Sequence, residues 1–244
     1  MTDRDTIGDT GNVLVTTAAT DHGHCSDLLE TGDPNTRAEL TVSLPEAQSE
    51  QTGFGSASST QPARKGLISV GDVLRSAAEG GPDFGAPVVM DAVEEPTDLQ
   101  GIGTAISRYC QRWDEEDYDI VVCFDSLTEL LDHASPEVVF QFCHVLTSRL
   151  SSVDALAHFH LDPEAHSDET VATFQSIFDE TVGETTEADA IEAFAEATDD
   201  DIAALTESWS AEANYSIVGD DDYARPDEVS EASDDDIADS LPVE

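Results

Sequence analysis

The sequence predicts an α/β protein in which a parallel β-sheet is covered by helices on both faces. Two observations support this fold class. Strand-like and helix-like segments alternate along the first 183 residues, as they do in proteins built from βα units. The fifth strand-like segment, Tyr118–Phe124, also contains the uninterrupted apolar run Ile120–Phe124, which is typical of a central parallel strand buried on both faces.

Six segments are predicted as strands. The second shows the clearest alternation, since Ala38, Leu40, Val42 and Leu44 are separated by polar residues, and we expect this strand to be half-buried. Pro45 ends it, and the following residues 46–62, rich in Gly, Ser and Gln, are predicted to form a loop. The six predicted strands are residues 12–17, 38–44, 66–70, 87–91, 118–124 and 153–159.

Helices are predicted between these strands from apolar residues at three- and four-residue spacing. One helix begins with Ser135 as N-cap and Pro136 in its first turn, and the last helix of the domain begins at Ser167. The predicted apolar faces are Leu99, Ile102, Ile106, Tyr109 and Trp113; Val138, Phe142, Val145 and Leu146; and Val171, Phe174, Phe178 and Val182.

Acidic residues are concentrated toward the end of the sequence. Residues 181–244 hold 21 acidic residues and one arginine, so the compact domain is expected to end near residue 183. Apolar residues at helical spacing predict one or two helices before residue 210, whereas too few remain after it to offset the entropy of ordering the chain. The predicted organisation is a flexible N-terminus (1–11), the α/β domain (12–183), an acidic helical extension (184–210) and a disordered acidic tail (211–244).

The charge and the apolar pattern exclude some classes of partner. With 54 acidic residues against 9 Lys and Arg, the formal net charge of −45 would repel nucleic acid. No apolar run approaches the roughly 20 residues of a membrane helix, and no secretory signal is recognisable, so we expect a cytoplasmic protein that does not bind membranes. A single lysine, Lys65, among so many acids is typical of salt-adapted proteins, and four cysteines without a CxxC pair predict buried, reduced thiols.

The turn after the first strand is where an open α/β sheet binds ligands. A phosphate-binding loop there would read GxxxxGK[ST]. The chain has Gly23 at the glycine position, His24 at the lysine position, and Cys25 or, one residue later, Ser26 at the hydroxyl position. Losing the lysine and the hydroxyl removes two charge-assisted contacts of roughly 1.5–3 kcal/mol each, which would turn a micromolar nucleotide site into about a millimolar one. The loop is therefore predicted to be eroded, and Asp21 further disfavours a triphosphate.

The fifth predicted strand leads into Asp125, in the form of a Walker B strand that delivers one carboxylate to the edge of the sheet. A buried strand followed by a residue that only caps the next helix gives the same pattern. The motif alone leaves both interpretations open, and the order of the surrounding segments favours the first.

Five segments occur in an order that is similar to a known family. They are Val13–Ser26, Leu67–Asp72, Asp98–Gly103, Val122–Leu131 and His158–Pro163. Over about residues 10–183 the chain resembles the RecA/KaiC-like ATPase superfamily and, more closely, a haloarchaeal group of KaiC relatives with eroded nucleotide sites. The resemblance implies a three-layer RecA/KaiC-like fold. It also implies a degenerate nucleotide site, formed by Gly23, His24, Cys25, Ser26 and Asp125.

The same resemblance bears on function. KaiC-like proteins present acidic catalytic residues just past the second strand, where this chain has Pro45 and the single acid Glu46. We therefore assign no catalytic residue and expect a non-catalytic regulatory or protein-interaction module that binds a protein partner or its own copies. The alternative is a switch protein that binds ATP and magnesium weakly, or with an arginine from a neighbouring subunit. The arginines available for that role are Arg64, Arg75 and Arg108.

A metal-dependent enzyme is a third possibility. Two histidines share one face of the sixth predicted strand, and further histidines and a cysteine follow the first strand, so the two groups could meet at one edge of a parallel sheet. Imidazole and thiolate suit zinc. The alternative, which we favour from sequence, is that the strand histidines pack and form hydrogen bonds, and no metal ligand is assigned. The candidates considered are His22, His24, Cys25, His158, His160 and Asp162.

Overall fold

Seven parallel strands form one sheet in the computed structural model of the chain. The structure describes residues 10–17, 23–44, 61–71, 82–183, 198, 200 and 202–209. The strand order is β4-β3-β2-β5-β6-β1-β7, and each neighbouring pair is parallel. The strands are β1 (Gly11–Thr16), β2 (Arg37–Ser43), β3 (Arg64–Val70), β4 (Val88–Val93), β5 (Asp119–Asp125), β6 (Leu156–Leu161) and β7 (Glu180–Gly183). The predicted α/β class with a parallel sheet is confirmed.

Five described α-helices connect or flank these strands. They are α1 (Gly23–Leu29), α2 (Leu99–Asp114), α3 (Leu127–His133), α4 (Pro136–Ser151) and α5 (Asp168–Gln175), with a short 3-10 helix at Pro163–Ala165 and a further helical stretch at 202–209. Within the described ranges, no helix combines the length and the apolar composition that crossing a bilayer requires.

The two faces of the sheet carry cores of unequal size. On one face, Leu14, Phe124 and Phe159 belong to a large cluster that also contains buried side chains of α2, α3, α4 and α5. On the other face, a cluster of five residues joins α1 to the strands; its members are Val13, Val15, Leu28, Leu156 and Val182. Because neighbouring residues of a strand point to opposite faces, α1 and the other four helices cover opposite sides of the sheet.

The structure corrects the extent of the last predicted helix. The helix beginning at the N-cap Ser167 ends at Gln175 and does not continue to Val182, which lies in a seventh strand absent from the prediction. The backbone is redirected at Asp179, whose carboxylate accepts a hydrogen bond from the Asn12 amide at 2.8 Å, and β7 then pairs with β1.

Three further predictions were wrong in detail. The sixth strand starts at Leu156 rather than at residue 153, because α4 ends in a turn that places Asp154 at a positive φ of 51°. Val138 is 47% exposed, and Val139 takes the buried position in the first turn of α4. The helix α3 was not predicted; Ser126 caps it by accepting a hydrogen bond from the Glu129 amide.

The second strand is more buried at its start than the alternation predicts, because it lies between β3 and β5 near the centre of the sheet. Its polar side chains Arg37 and Glu39 form an ion pair of 2.9 Å in the interior. Burial raises the pKa of Glu39, although the Arg37 guanidinium opposes this shift. Further along the strand, the polar residues Thr41 and Ser43 are half-buried.

The acidic helical extension is described only in part. Residues 202–209 are helical, as predicted, whereas most of 184–201 and all of 211–244 lie outside the described residues. Trp209 is buried against the domain: its ring lies 6.1 Å from that of Phe142, and a Cβ at Gly103 would meet it at 2.6 Å. Leu205, one turn earlier in the same helical stretch, is 43% exposed.

We predict that Trp209→Ala lowers the free energy of unfolding by about 3–5 kcal/mol, because a buried aromatic ring is removed from the surface of α2. Urea unfolding followed by circular dichroism measures the change. Leu205→Ala in the same helical stretch is the matched control and should change stability by less than about 0.5 kcal/mol. Equal stability of the Trp209→Ala protein and the unmodified chain would show that this helix is not part of the folded domain.

Candidate functional site

Two adjacent strands, β5 and β6, bring cysteine and histidine side chains onto the face covered by α1. In the register of β5 and β6, Cys123 lies opposite His158, and in the register of β6 and β1, His160 lies opposite Val15. Since residues two apart on a strand share a face, Cys123, His158 and His160 point to the same side of the sheet. That side is the one carrying Val13, Val15 and Leu28.

Helix α1 adds the fourth member of this group. Cys25 occupies its first turn and is buried against the sheet, while Leu28, one turn later, packs on the small apolar cluster. The first turn of α1 thus approaches β5 and β6 through a polar side chain. We refer to Cys25, Cys123, His158 and His160 as the Cys–His cluster.

The members of the Cys–His cluster lie close together; Cys25, Cys123 and His158 are buried, and His160 is half-buried with its Nε2 atom in the interior. The Sγ atoms of Cys25 and Cys123 are 3.5 Å apart, and Nε2 of His158 lies 3.3 Å from Sγ of Cys25. One ligand atom from each of the four residues lies within 4.8 Å of all the others. The two imidazole rings are 5.3 Å apart and nearly perpendicular, at 78°.

Two ring nitrogens of the cluster are left without a hydrogen-bond partner among the described residues. They are Nδ1 of His158 and Nε2 of His160, both buried. A buried polar atom without a partner costs about 1–3 kcal/mol. Nδ1 of His158 and Nε2 of His160 are therefore available for a further bond.

The cluster stabilises one negative charge on sulfur. The hydrogen bond with Cys123 strongly lowers the pKa of Cys25, and the contacts with His158 and His160 lower it further, against the opposing effect of burial. Cys123 shows the converse: the same hydrogen bond, together with burial, raises its pKa. The pair thus favours a Cys25 thiolate that accepts a hydrogen bond from the Cys123 thiol.

The two histidines differ in their preferred protonation. Burial lowers the pKa of His158, which favours the neutral ring. Burial acts in the same direction on His160, but the contact with Cys25 and the negative charges of Cys25 and Asp125 outweigh it and raise the pKa. An anionic sulfur beside a more basic imidazole is an arrangement suited to a nucleophilic thiolate or to a cation.

Asp125 ends β5 on the same face as Cys123, two residues further along the strand, and it is partly buried. Its negative charge contributes to the pKa shifts of Cys123, His158 and His160. The next residue, Ser126, provides the cap of α3. The capping function thus belongs to Ser126, and the Asp125 carboxylate lies close enough to the cluster to add negative charge there.

The structure brings some of the predicted site residues together, places Asp162 elsewhere, and does not describe the rest. Gly23 begins α1 and Cys25 belongs to the Cys–His cluster, together with His158 and His160 from the metal hypothesis. Asp162 is separate from the cluster, because its carboxylate caps the 3-10 helix by accepting a hydrogen bond from the Glu164 amide at 2.9 Å. The side chains of His24 and Ser26, and the residues His22, Pro45 and Glu46, lie outside the described part of the structure.

Sequence reasoning missed Cys123. In the sequence this residue is one apolar position among others in a continuous buried strand. Its importance comes from the pairing of β5 with β6, which places it beside His158. The sequence shows only that Cys123 and Asp125, two residues apart on one strand, share a face of the sheet. It does not show which strand lies next to them.

A separate cavity of about 550 Å³ lies at the end of β4 and the start of α2. Four carboxylates line it, and its one guanidinium, Arg108, forms a 2.8 Å ion pair with Asp91. Burial raises the pKa of Asp91 against the effect of Arg108. The lining is therefore too acidic to hold the phosphates of a nucleotide.

A family model matches most of the chain. Residues 10–183 match the model of DUF7504, a family of unknown function. No curated protein matches the sequence. The matched range includes all seven strands and all four residues of the Cys–His cluster.

Proposed function

Since the chain belongs to DUF7504, a family of unknown function, we propose its function from its own residues. It is a non-catalytic RecA/KaiC-like module that acts in regulation or protein interaction, with an eroded phosphate-binding loop. The seven-stranded parallel sheet with helices on both faces is compatible with that fold type. The proposal is carried by the orientation of one residue, Cys25.

Cys25, or Ser26 one residue later, occupies the position at which a phosphate-binding loop has the hydroxyl that coordinates magnesium, and the loop pattern read directly after His24 gives Cys25. Its sulfur is instead turned into the interior, 3.5 Å from Sγ of Cys123 and 3.3 Å from Nε2 of His158. A side chain held in these contacts does not face a nucleotide. With His24 at the lysine position, both side chains that such a loop uses for phosphate and magnesium are replaced.

The arginines proposed to complete a neighbour's nucleotide site are engaged within the chain. Arg64 begins β3, at the opposite end of the sheet from Asp125, and lies 3.9 Å from Glu116 and over the ring of Tyr118. Arg108 is held by Asp91. Arg75 lies outside the described residues. These contacts favour the non-catalytic module over the partner-completed switch.

Residues 211–244 supply the second part of the proposal. They contain 12 acidic residues and one arginine, a composition that solvates readily and can attract a basic surface through long-range electrostatics. We therefore assign partner binding to this segment and a supporting role to the α/β domain.

We predict that ATP with magnesium leaves the melting temperature unchanged when the protein is heated in molar potassium chloride at millimolar nucleotide. A working site at a hundredfold its dissociation constant would add about 2.7 kcal/mol, which is a rise of roughly 5–10 °C for a chain of this size. Differential scanning fluorimetry measures the shift.

Two variants on β5 show how a positive result would be interpreted. Asp125→Asn removes the carboxylate at the end of the strand, and Asp119→Asn removes one at its beginning, where Asp119 bonds to Thr36. A shift seen in the unmodified protein and in Asp119→Asn, but lost in Asp125→Asn, would replace the present proposal with an ATP-binding switch.

We also predict that deleting residues 211–244 abolishes capture of a partner while the melting temperature stays the same. Capture is measured by affinity purification from cells of a salt-adapted host, followed by mass spectrometry. A full-length variant with Asn and Gln in place of the Asp and Glu of this segment tests whether the charge is responsible. Unfolding of the shortened chain would assign the segment a structural role and contradict the proposal.

A further inference from the structure

The Cys–His cluster has the composition and the dimensions of a metal site. We propose that Cys25, Cys123, His158 and His160 together bind one zinc ion, which fastens α1 to strands β5 and β6. This inference goes beyond the proposed regulatory function and does not depend on whether a nucleotide binds. It is carried by the distances among the four side chains, by the burial of their ligand atoms and by the unpartnered Nε2 of His160.

The distances in the cluster are close to those of a tetrahedral zinc site. Zn–S bonds of about 2.3 Å and Zn–N bonds of about 2.0–2.1 Å place the two sulfurs of a tetrahedron roughly 3.8 Å apart and a sulfur and a nitrogen roughly 3.5 Å apart. The corresponding distances are 3.5 Å between the sulfurs and 3.3 Å between Sγ of Cys25 and Nε2 of His158. These two pairs need movements of only a few tenths of an ångström, whereas the remaining ligand atoms, which all lie within 4.8 Å of one another, must move closer by up to roughly 1 Å to bind the ion.

The chemistry of the four groups also matches this ion. Two thiolates balance its charge of +2, and two neutral imidazoles complete a Cys₂His₂ set. His160 offers Nε2, which is buried without a partner, and His158 offers Nε2 beside Cys25. The carboxylate of Asp125 adds negative charge nearby, which favours a bound cation. A hard cation such as magnesium prefers oxygen ligands and would not select this set.

The burial of the cluster indicates a structural ion rather than a catalytic one. Catalytic zinc keeps a coordination position open for water, whereas structural zinc has four protein ligands. Here the ligand atoms of all four residues are buried. Sγ of Cys123 and Nε2 of His158 lie 3.5 Å and 3.3 Å from Sγ of Cys25. A closed site in this place would act on stability and on the position of α1.

The position of α1 explains why an ion is useful there. The helix has seven residues, and Leu28 is its one member of the five-residue apolar cluster that holds it to the sheet. Isolated helices shorter than about 12–15 residues are marginal in water. A metal bond from Cys25 to ligands on two strands would anchor the first turn, which apolar packing leaves weakly held.

The first measurement is the metal content of untagged protein, purified without chelators and analysed by inductively coupled plasma mass spectrometry. We expect one zinc ion per chain. Metal-free protein titrated with cobalt(II) should show the visible absorption bands of a tetrahedral cobalt site and a thiolate-to-cobalt charge-transfer band. This titration needs no variant, so it tests the site even where substitutions in the cluster impair folding.

Matched cysteine variants then locate the ion. Cys25→Ala and Cys123→Ala should each weaken zinc binding by more than about 100-fold, since loss of a direct ligand exceeds the 10- to 100-fold effect of losing a supporting contact. Cys110→Ala and Cys143→Ala remove equally buried thiols from the opposite face of the sheet and should leave zinc affinity unchanged. His160→Ala should weaken binding in the same way as the cluster cysteines.

Hydrogen exchange tests the anchoring function. Removing zinc from the unmodified protein should increase amide exchange in α1 at least tenfold, while α4 on the opposite face stays protected. Zinc-independent protection of α1 would contradict the anchoring role.

Three results would overturn the metal site itself. One is folded protein that contains no zinc and gives no cobalt bands. Another is zinc retained with equal affinity in Cys25→Ala and Cys123→Ala. The third is a Cys25–Cys123 disulfide in peptides of unreduced protein that takes up no metal. Because no nucleotide is present in these experiments, their failure is separate from failure of the proposed function.

Discussion

A parallel sheet must be covered on both faces, and at β1, β5 and β6 the two covers are very unequal. The face under α2, α3, α4 and α5 carries a large apolar core. The opposite face is covered, among the described elements, by seven-residue α1 and a five-residue apolar cluster. Among the described residues, α1 therefore contacts the sheet through Leu28 and through the polar side chain of Cys25 in its first turn.

Polar side chains in such a position are costly unless they are bonded. The ligand atoms of the Cys–His cluster are all buried. Contacts within the cluster partly offset the cost of this burial. The hydrogen bond with Cys123 lowers the pKa of Cys25, and the neighbouring Cys25 sulfur raises the pKa of His160. The compensation is incomplete, since Nδ1 of His158 and Nε2 of His160 have no partner among the described residues. An apolar set of side chains would avoid this cost. The proposed zinc ion would supply the bonding partner that Nε2 of His160 lacks among the described residues.

The sequence was sufficient for the fold class but not for the site. Alternation, apolar runs and caps such as Ser167 place six of the seven strands and the principal helices, because these signals are local. The strand β7 was missed because the hydrogen bond between Asp179 and the Asn12 amide, 167 positions apart, determines where it starts. The same limit applies to Cys123: its neighbour His158 is set by strand order, which no local pattern encodes. His158, His160 and Cys25 were recognised as candidate ligands because residue type and spacing are visible in the sequence, but the favoured interpretation was packing.

The two proposals meet at one described residue, Cys25. A hydroxyl at residue 25 would suit magnesium, which prefers oxygen ligands, whereas the thiol of Cys25 suits zinc. The contacts of this thiol with Cys123 and His158 turn it toward a group of sulfur and nitrogen ligands. The same side chain therefore supports both proposals: it withholds the oxygen that a magnesium–nucleotide site uses, and it supplies the sulfur that a zinc site uses.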